Sequence, residues 1–215
     1  MALGPGTSEI TPSIVDPPRL PARVETVQRQ FDARAARWPR HDAVVREVGQ
    51  RLIERLSLMR LAPRLIVDVG AGAGAARTAL LGRYPEARWL GLDISRAMLL
   101  GARDAGWTGR FAAWAGRVPW RVNAEAGRLP LAAGSADLLH SNLMLHWHPA
   151  PHTLFPEWAR VLATDGLLLF SAFGPDTLKE LRAAMAEVWP AARPVSFVDM
   201  HDYGDMMVAA GLATP

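Results

Sequence analysis

Two aspartates and three glycines set the chemistry open to this chain. Asp68 ends an apolar run, and Gly70, Gly72 and Gly74 follow it at alternate positions in VDVGAGAG. Alternating glycines permit a tight turn and a close approach of ligand to backbone, because any side chain would occupy the ligand's space. The segment from Gly70 to Ala75 satisfies the dinucleotide fingerprint in its Gly/Ala form, so by itself it does not choose among nucleotides. Asp93 closes the next apolar run, in GLDIS. A carboxylate there can accept hydrogen bonds from both hydroxyls of a ribose, and Asp93 or Ser95 is also placed to cap the helix beyond. Asp68 discriminates between ligands. A pyrophosphate would repel a carboxylate two residues before the first glycine, whereas the methionine ammonium of S-adenosylmethionine would attract one. The alternative for Asp68 is satisfaction by the turn's own amides.

A second group lies in SNLMLHWH, where His146 and His148 flank Trp147 just past an apolar strand. An imidazole there could act as base toward a hydroxyl or amine acceptor; the plainer reading is a polar loop with Trp147 packed down. With His152 the pair suggests a metal, but no carboxylate or cysteine completes a ligand set. No metal is expected, and no catalytic residue is assigned.

These residues need a scaffold that gathers strand ends. The pattern alternates strand 65–69, helix 75–83, strand 89–92, a helix in DISRAMLLGARDAG, a weaker strand at 120–122, strand 136–143, helix 153–163, strand 166–173 and helix 177–189. Such alternation implies right-handed crossovers and a mostly parallel sheet covered on both faces. Upstream, Phe31, Ala35 and Trp38 share a helical face, as do Val45, Val48, Leu52, Leu56 and Met59. HDYGDMMVAAG, 201–211, reads as a last helix closed by Gly211. Residues 1–22 read as a flexible lead-in, and 23–215 as a single domain in which the helices of 23–60 lie over the active site.

A chain of 215 residues suits one sizeable core. Zero cysteines exclude disulfides and thiolate metal sites, and no apolar run approaches the ~20 residues of a membrane span. The N-terminus lacks a signal-peptide pattern, so a cytoplasmic protein without membrane contact is expected. The pI of 10.1 overstates basicity. The net charge is only +3, and all basic residues but Lys179 are arginines, so little titrates above neutral pH. A nucleic-acid partner is not implied.

On VDVGAGAG, GLDIS, NAEAGRLPLAAGSADLLHSNLMLHW and RVLATDGLLLFSAFG, the chain resembles class I S-adenosylmethionine-dependent methyltransferases from about Gln28 to Gly211. RQFDARAARW, SNLMLHW, FGPDTLKELR and FVDMHDYGDMMVAAGL make it most similar to the BioC group, the malonyl-acyl-carrier-protein O-methyltransferases of biotin synthesis. The resemblance implies a Rossmann-like α/β fold. Its cofactor is S-adenosyl-L-methionine, released as S-adenosylhomocysteine and held by Asp68, Gly70, Ala71, Gly72, Gly74, Asp93, Ile94, Met98, Asn123, Ala124 and Asn142. It puts Trp38, His146 and Trp147 at the substrate or in a lid. The family continues into two further strands, so the resemblance implies a sheet without its last two strands, with an edge open to pairing, hence a monomer or an edge-paired dimer. The acceptor is an acyl-carrier protein or a small molecule. A malonyl carboxylate is already ionised at neutral pH and needs no general base, and Arg110, Arg117, Arg121 and Arg128 are candidates for docking an acidic carrier.

Five positions in four places depart from the family. Ala71-Gly72-Ala73-Gly74 stands for Cys-Gly-Thr-Gly, Asn123 for an acid that contacts adenine, His146 for Gln and Trp38 for Tyr. Arginine hydroxylases built from a similar sequence, a non-catalytic cofactor-binding assembly factor and, more weakly, a nicotinamide dehydrogenase are the alternative readings.

Overall fold

The computed structural model describes residues 23–101, 120–189 and 197–213. Five strands, β1 (Leu65–Val69), β2 (Arg88–Asp93), β3 (Trp120–Asn123), β4 (Ala136–Asn142) and β5 (Leu162–Ser171), form one sheet in the order β3-β2-β1-β4-β5. Every pairing is parallel. Order and all-parallel pairing make this an open, Rossmann-like sheet. Parallel strands covered on both faces need apolar residues on both, and β1 and β4 supply them. Ile66 and Leu138 pack into one core with Ile53, Leu56, Leu80 and Trp89. Val67 and Leu139, one residue further along each strand, enter the opposite core with Phe155, Trp158 and Tyr203. The two-residue strand period thus divides four neighbouring side chains between two layers, each worth roughly 1.5–3 kcal/mol when fully buried.

Seven helices complete the described fold: α1 (Val24–Arg34), α2 (Ala43–Glu54), α3 (Arg77–Arg83), α4 (Arg96–Gly101), α5 (Leu154–Val161), α6 (Lys179–Val188) and α7 (Met200–Ala209). A six-residue 3-10 segment, Ala35–Arg40, joins α1 to α2. Helix α2 buries Gly49 and Ile53, and Leu56 follows on a short 3-10 turn. The expected stripe is therefore shifted, and Met59 stands 40 % exposed at its end. Helix α7 closes as expected: Gly211 takes φ +82° and the Leu212 amide donates to Met207 O at 3.0 Å. That left-handed residue and six-residue closure are a glycine C-cap.

Three boundaries moved. Helix α3 begins at Arg77 because residues 70–76 are consumed by the turn after β1. Strand β5 starts at Leu162, ahead of the expected 166, and ends at Ser171. Asp165 takes φ +59° and its pairing with β4 is irregular, so the Asp-Gly turn signal produces a kink inside the strand instead of a loop before it. Helix α6 begins at Lys179 after Leu178 adopts φ +58°, which absorbs the expected Thr177 start. Trp120, on edge strand β3, is 48 % exposed with the Arg88 guanidinium 5.3 Å from its ring centre, so it is neither core nor cover. Among the described residues no helix is long and apolar enough to cross a membrane.

The chain runs β1→β2→β3 to one side, then returns to place β4 on the other side of β1. The crevice beyond the carboxyl ends of β1 and β4 is where such a sheet offers space to a ligand.

Candidate functional site

Between β1 and α3 the turn is strapped to the end of β2. Gly70 and Ala71 amides both donate to Leu92 O, at 2.8 and 2.9 Å, and the Gly72 amide donates to Asp93 Oδ2 at 2.8 Å. These amides face the neighbouring strand, not the open space. Helix α3, expected from 75, starts only at Arg77, beyond this turn. Gly70 sits at φ +75°, and a Cβ there would lie 2.5 Å from Met144 Cγ. Only glycine satisfies both constraints.

Asp93 is held by two backbone donors, Gly72 on one oxygen and Ser95 on the other, each at 2.8 Å. Each oxygen retains a lone pair, and the side chain lines the cleft. Burial pushes its carboxyl above the ordinary range. The Ser95 and Gly72 amides pull it back, and the Asp68 and Asp32 charges push it further up. Ser95 caps α4, accepting from the Met98 amide at 3.1 Å, while its hydroxyl donates to Asp32 Oδ1 at 2.6 Å. The Ala97 amide donates to the same oxygen at 3.2 Å. Asp32 thereby clips α1 to α4. Its only sequence signal was an acid directly beside the inward Phe31.

Asp68 does not reach the cleft wall. It is 2 % exposed, and His140 Nδ1, its register neighbour on β4, donates to Oδ1 at 2.8 Å. Carboxylates only accept, which fixes the proton on Nδ1. Asp68 Oδ2 is buried without a partner among the described residues. The signal for His140 was a polar residue inside the otherwise buried run ADLLHSNL, on the same strand face as Asn142. Replacing His140 with leucine is expected to leave Asp68 Oδ1 unpaired. Denaturant unfolding should record a loss of at least about 1–3 kcal/mol.

The cleft has a volume of about 220 Å³. Of the residues expected at the cofactor, Gly70, Ala71, Gly72, Asp93, Ile94, Met98, Ala124 and Asn142 line it, and so do Trp38, His146 and Trp147. Gly74 and Asn123 do not. The Asn123 amide nitrogen donates to Asp93 O and Ile94 O, at 2.9 and 2.7 Å. Both partners are carbonyls, so its Oδ1 must face away from them. Asn142 is engaged as well, its nitrogen donating to Val45 O at 2.8 Å and its oxygen accepting from Ser171 Oγ at 2.7 Å. A Cβ on Gly49 would fall 2.8 Å from Asn142 Nδ2. Asn142 therefore buckles α2 onto the sheet through a gap that only glycine leaves.

Aromatic rings cover the other half. Phe31 meets Trp38 at 5.5 Å and Trp147 at 5.1 Å, both edge-on. His146 lies 4.7 Å from Phe173, and His148 Nε2 is 3.2 Å from Glu125 Oε1. Arg110, Arg117 and the 1–22 lead-in lie outside the described residues. Among the described residues no three His, Asp or Glu side chains gather as a metal-ligand set.

Burial lowers the His146 pKa from 6.5 to about 4, so its ring is neutral near pH 7. The unfolded chain takes up that proton below pH 6.5 while the folded one does not until about 4. Stability is therefore lost as pH falls from 6.5 toward 4. Unfolding at pH 4.5 and pH 7 is expected to differ by about 1–3 kcal/mol more in the unaltered chain than in His146→Gln.

A protein-family model described as a methyltransferase domain matches residues 67–170. The chain is 44% identical over 190 residues to the malonyl-acyl-carrier-protein O-methyltransferase of Laribacter hongkongensis (strain HLHK9), covering 88% of this chain and 64% of that protein. It is 41% identical over 197 residues to the protein of the same name in Methylovorus sp. (strain MP688), with the same coverage. The chain thus spans about 64% of the length of these relatives. Among solved structures it resembles the Haloferax volcanii complex of the Trm112 methyltransferase activator with its partner chain, at TM-score 0.67 and 22% identity, covering 86% of this chain and 75% of that one.

Proposed function

We propose, from the match of a methyltransferase-domain model to residues 67–170 and from the site's geometry, that the chain is an S-adenosylmethionine-dependent O-methyltransferase acting on a malonyl group borne by an acyl-carrier protein. The observation that carries this reading is a single continuous cleft. One half holds the Asp93 carboxylate against the glycine turn, and the other is roofed by Phe31, Trp38, Trp147 and His146.

The residues present fit S-adenosylmethionine. Asp93 offers one free lone pair on each oxygen to the ribose hydroxyls, and Ile94, Met98 and Ala124 form an apolar wall for adenine. Asn123 stands behind that wall and fixes the end of β2 through Asp93 O and Ile94 O. Asp68 lies beneath the cleft floor, where its carboxylate would add negative charge under the methionine ammonium. When bound, the cofactor supplies a methyl group on a cationic sulfur.

The remaining work falls to this chain's own side chains. A carboxylate acceptor is ionised at neutral pH, so no residue has to remove a proton from it. Placement then dominates the rate. His146 Nδ1 is buried without a partner among the described residues, and its neutral ring can donate one hydrogen bond to the acceptor carboxylate. The aromatic cover excludes water, which would otherwise solvate that nucleophile.

Incubating the chain with S-adenosylmethionine and malonyl-carrier protein is expected to add one methyl group by mass, removed again by mild alkaline hydrolysis of the ester. Acetyl-carrier protein, which lacks the free carboxylate, should gain nothing. Methylation of both, or an alkali-stable product, would sink the carboxylate assignment.

A further inference from the structure

The last residue of α1 and the 3-10 segment that follows it carry arginines at every third position, Arg34, Arg37 and Arg40. In a 3-10 helix, residues three apart eclipse one another about 6 Å along the axis. All three are exposed, and among the described residues none makes a hydrogen bond or ion pair. The other exposed residues of 33–41 are Ala33, Ala36, Pro39 and His41, so the outward surface is small or cationic throughout. The nearby acids are turned away. Asp32 is spent on Ser95 and Ala97, and Asp42 is 9 % exposed and paired with Arg46 at 3.1 Å. Three like charges this close in the chain repel one another unless an anionic surface supplies the opposite charge.

The position of this ladder gives it meaning. Trp38 lies between Arg37 and Arg40 in the chain and points into the acceptor half of the cleft. The arginines therefore border the opening through which an acceptor must arrive. We propose that Arg34, Arg37 and Arg40 are the docking surface for the acidic face of the carrier protein, an inference that rests on the proposed carrier-borne acceptor. The ladder is a single file, and the net charge is +3. This suits a row of carboxylates on one protein helix better than a nucleic-acid duplex, which rewards a broad cationic face.

The test separates docking from chemistry by measuring them with different ligands. Binding of malonyl-carrier protein to the full chain is followed by fluorescence anisotropy, and methylation of malonyl-pantetheine, which lacks the carrier, by product mass. In the variant Arg34→Glu/Arg37→Glu/Arg40→Glu, carrier binding is expected to weaken about ten-fold or more. Its affinity for S-adenosylhomocysteine and its rate on malonyl-pantetheine should equal those of the unaltered chain, which also shows that the variant folds. Added salt should weaken carrier binding to the unaltered chain and affect the variant much less. Equal carrier affinity in the two proteins, or none in either, overturns the docking proposal. So does arginine-dependent retention on a DNA duplex in place of the carrier. Failure on malonyl-pantetheine with carrier binding intact counts instead against the enzymatic reading.

Discussion

Asp93→Ala is expected to weaken S-adenosylhomocysteine binding by at least about 100-fold, because two charge-assisted hydrogen bonds to ribose at roughly 1.5–3 kcal/mol each disappear together. The same change removes the acceptor from the Gly72 and Ser95 amides. Each unpaired donor costs about 1–3 kcal/mol where water cannot reach it, so the ligand-free protein should also melt earlier. Asp93→Asn separates the two effects. It preserves shape and one acceptor oxygen but turns an amide group toward a backbone donor. Calorimetry should rank the affinities as unaltered chain, then Asn, then Ala. Equal affinity in all three would mean that the carboxylate serves only the turn.

Gly70→Ala should be nearly as damaging by a different route. A left-handed backbone costs an L-residue roughly 1–2 kcal/mol, and the new Cβ would lie 2.5 Å from Met144 Cγ and 2.8 Å from Met144 Cβ. Met144 sits where β4 leads into the acceptor half, so relieving the clash moves the cleft wall or the turn. Binding of S-adenosylhomocysteine is expected to fall at least about ten-fold, with a stability loss of about 2–4 kcal/mol. Adding Met144→Ala to Gly70→Ala removes the steric part and leaves the backbone part. The double variant should therefore recover part of the lost stability and not all of it. No recovery would assign the whole effect to φ.

The turn and the strand ends were legible in the sequence because their signals are local. Glycines at alternate positions, a strand-terminal aspartate and a two-residue apolar period each act within a few residues. Boundaries moved where the glycine turn ran on to Arg77 and where a left-handed residue intervened, Asp165 within β5 and Leu178 before α6. Contacts across the fold were not legible. Asp68 and His140 are 72 residues apart, and Asp32 and Ser95 are 63 apart. Neither pair has a spacing that a chain-order reading can detect. The site residues divide in the same way: Asp93, Gly70 and Gly72 line the cleft, while Asp68 lies beneath it and Asn123 is committed to the end of β2. Asn142 lines the cleft but spends its amide on α2, since Gly49 opens the space for that contact. Such a role becomes visible only once α2 is packed against the sheet.

On the proposed reading, the cleft takes the methionine-derived nucleoside and not a dinucleotide. Titrating the chain with S-adenosylhomocysteine and, separately, with NAD in a calorimeter tests it most directly. Saturable one-to-one binding of the thioether, lost in Asp93→Ala, together with no heat from NAD, is the predicted result. Saturable binding of NAD with none of the thioether would contradict it.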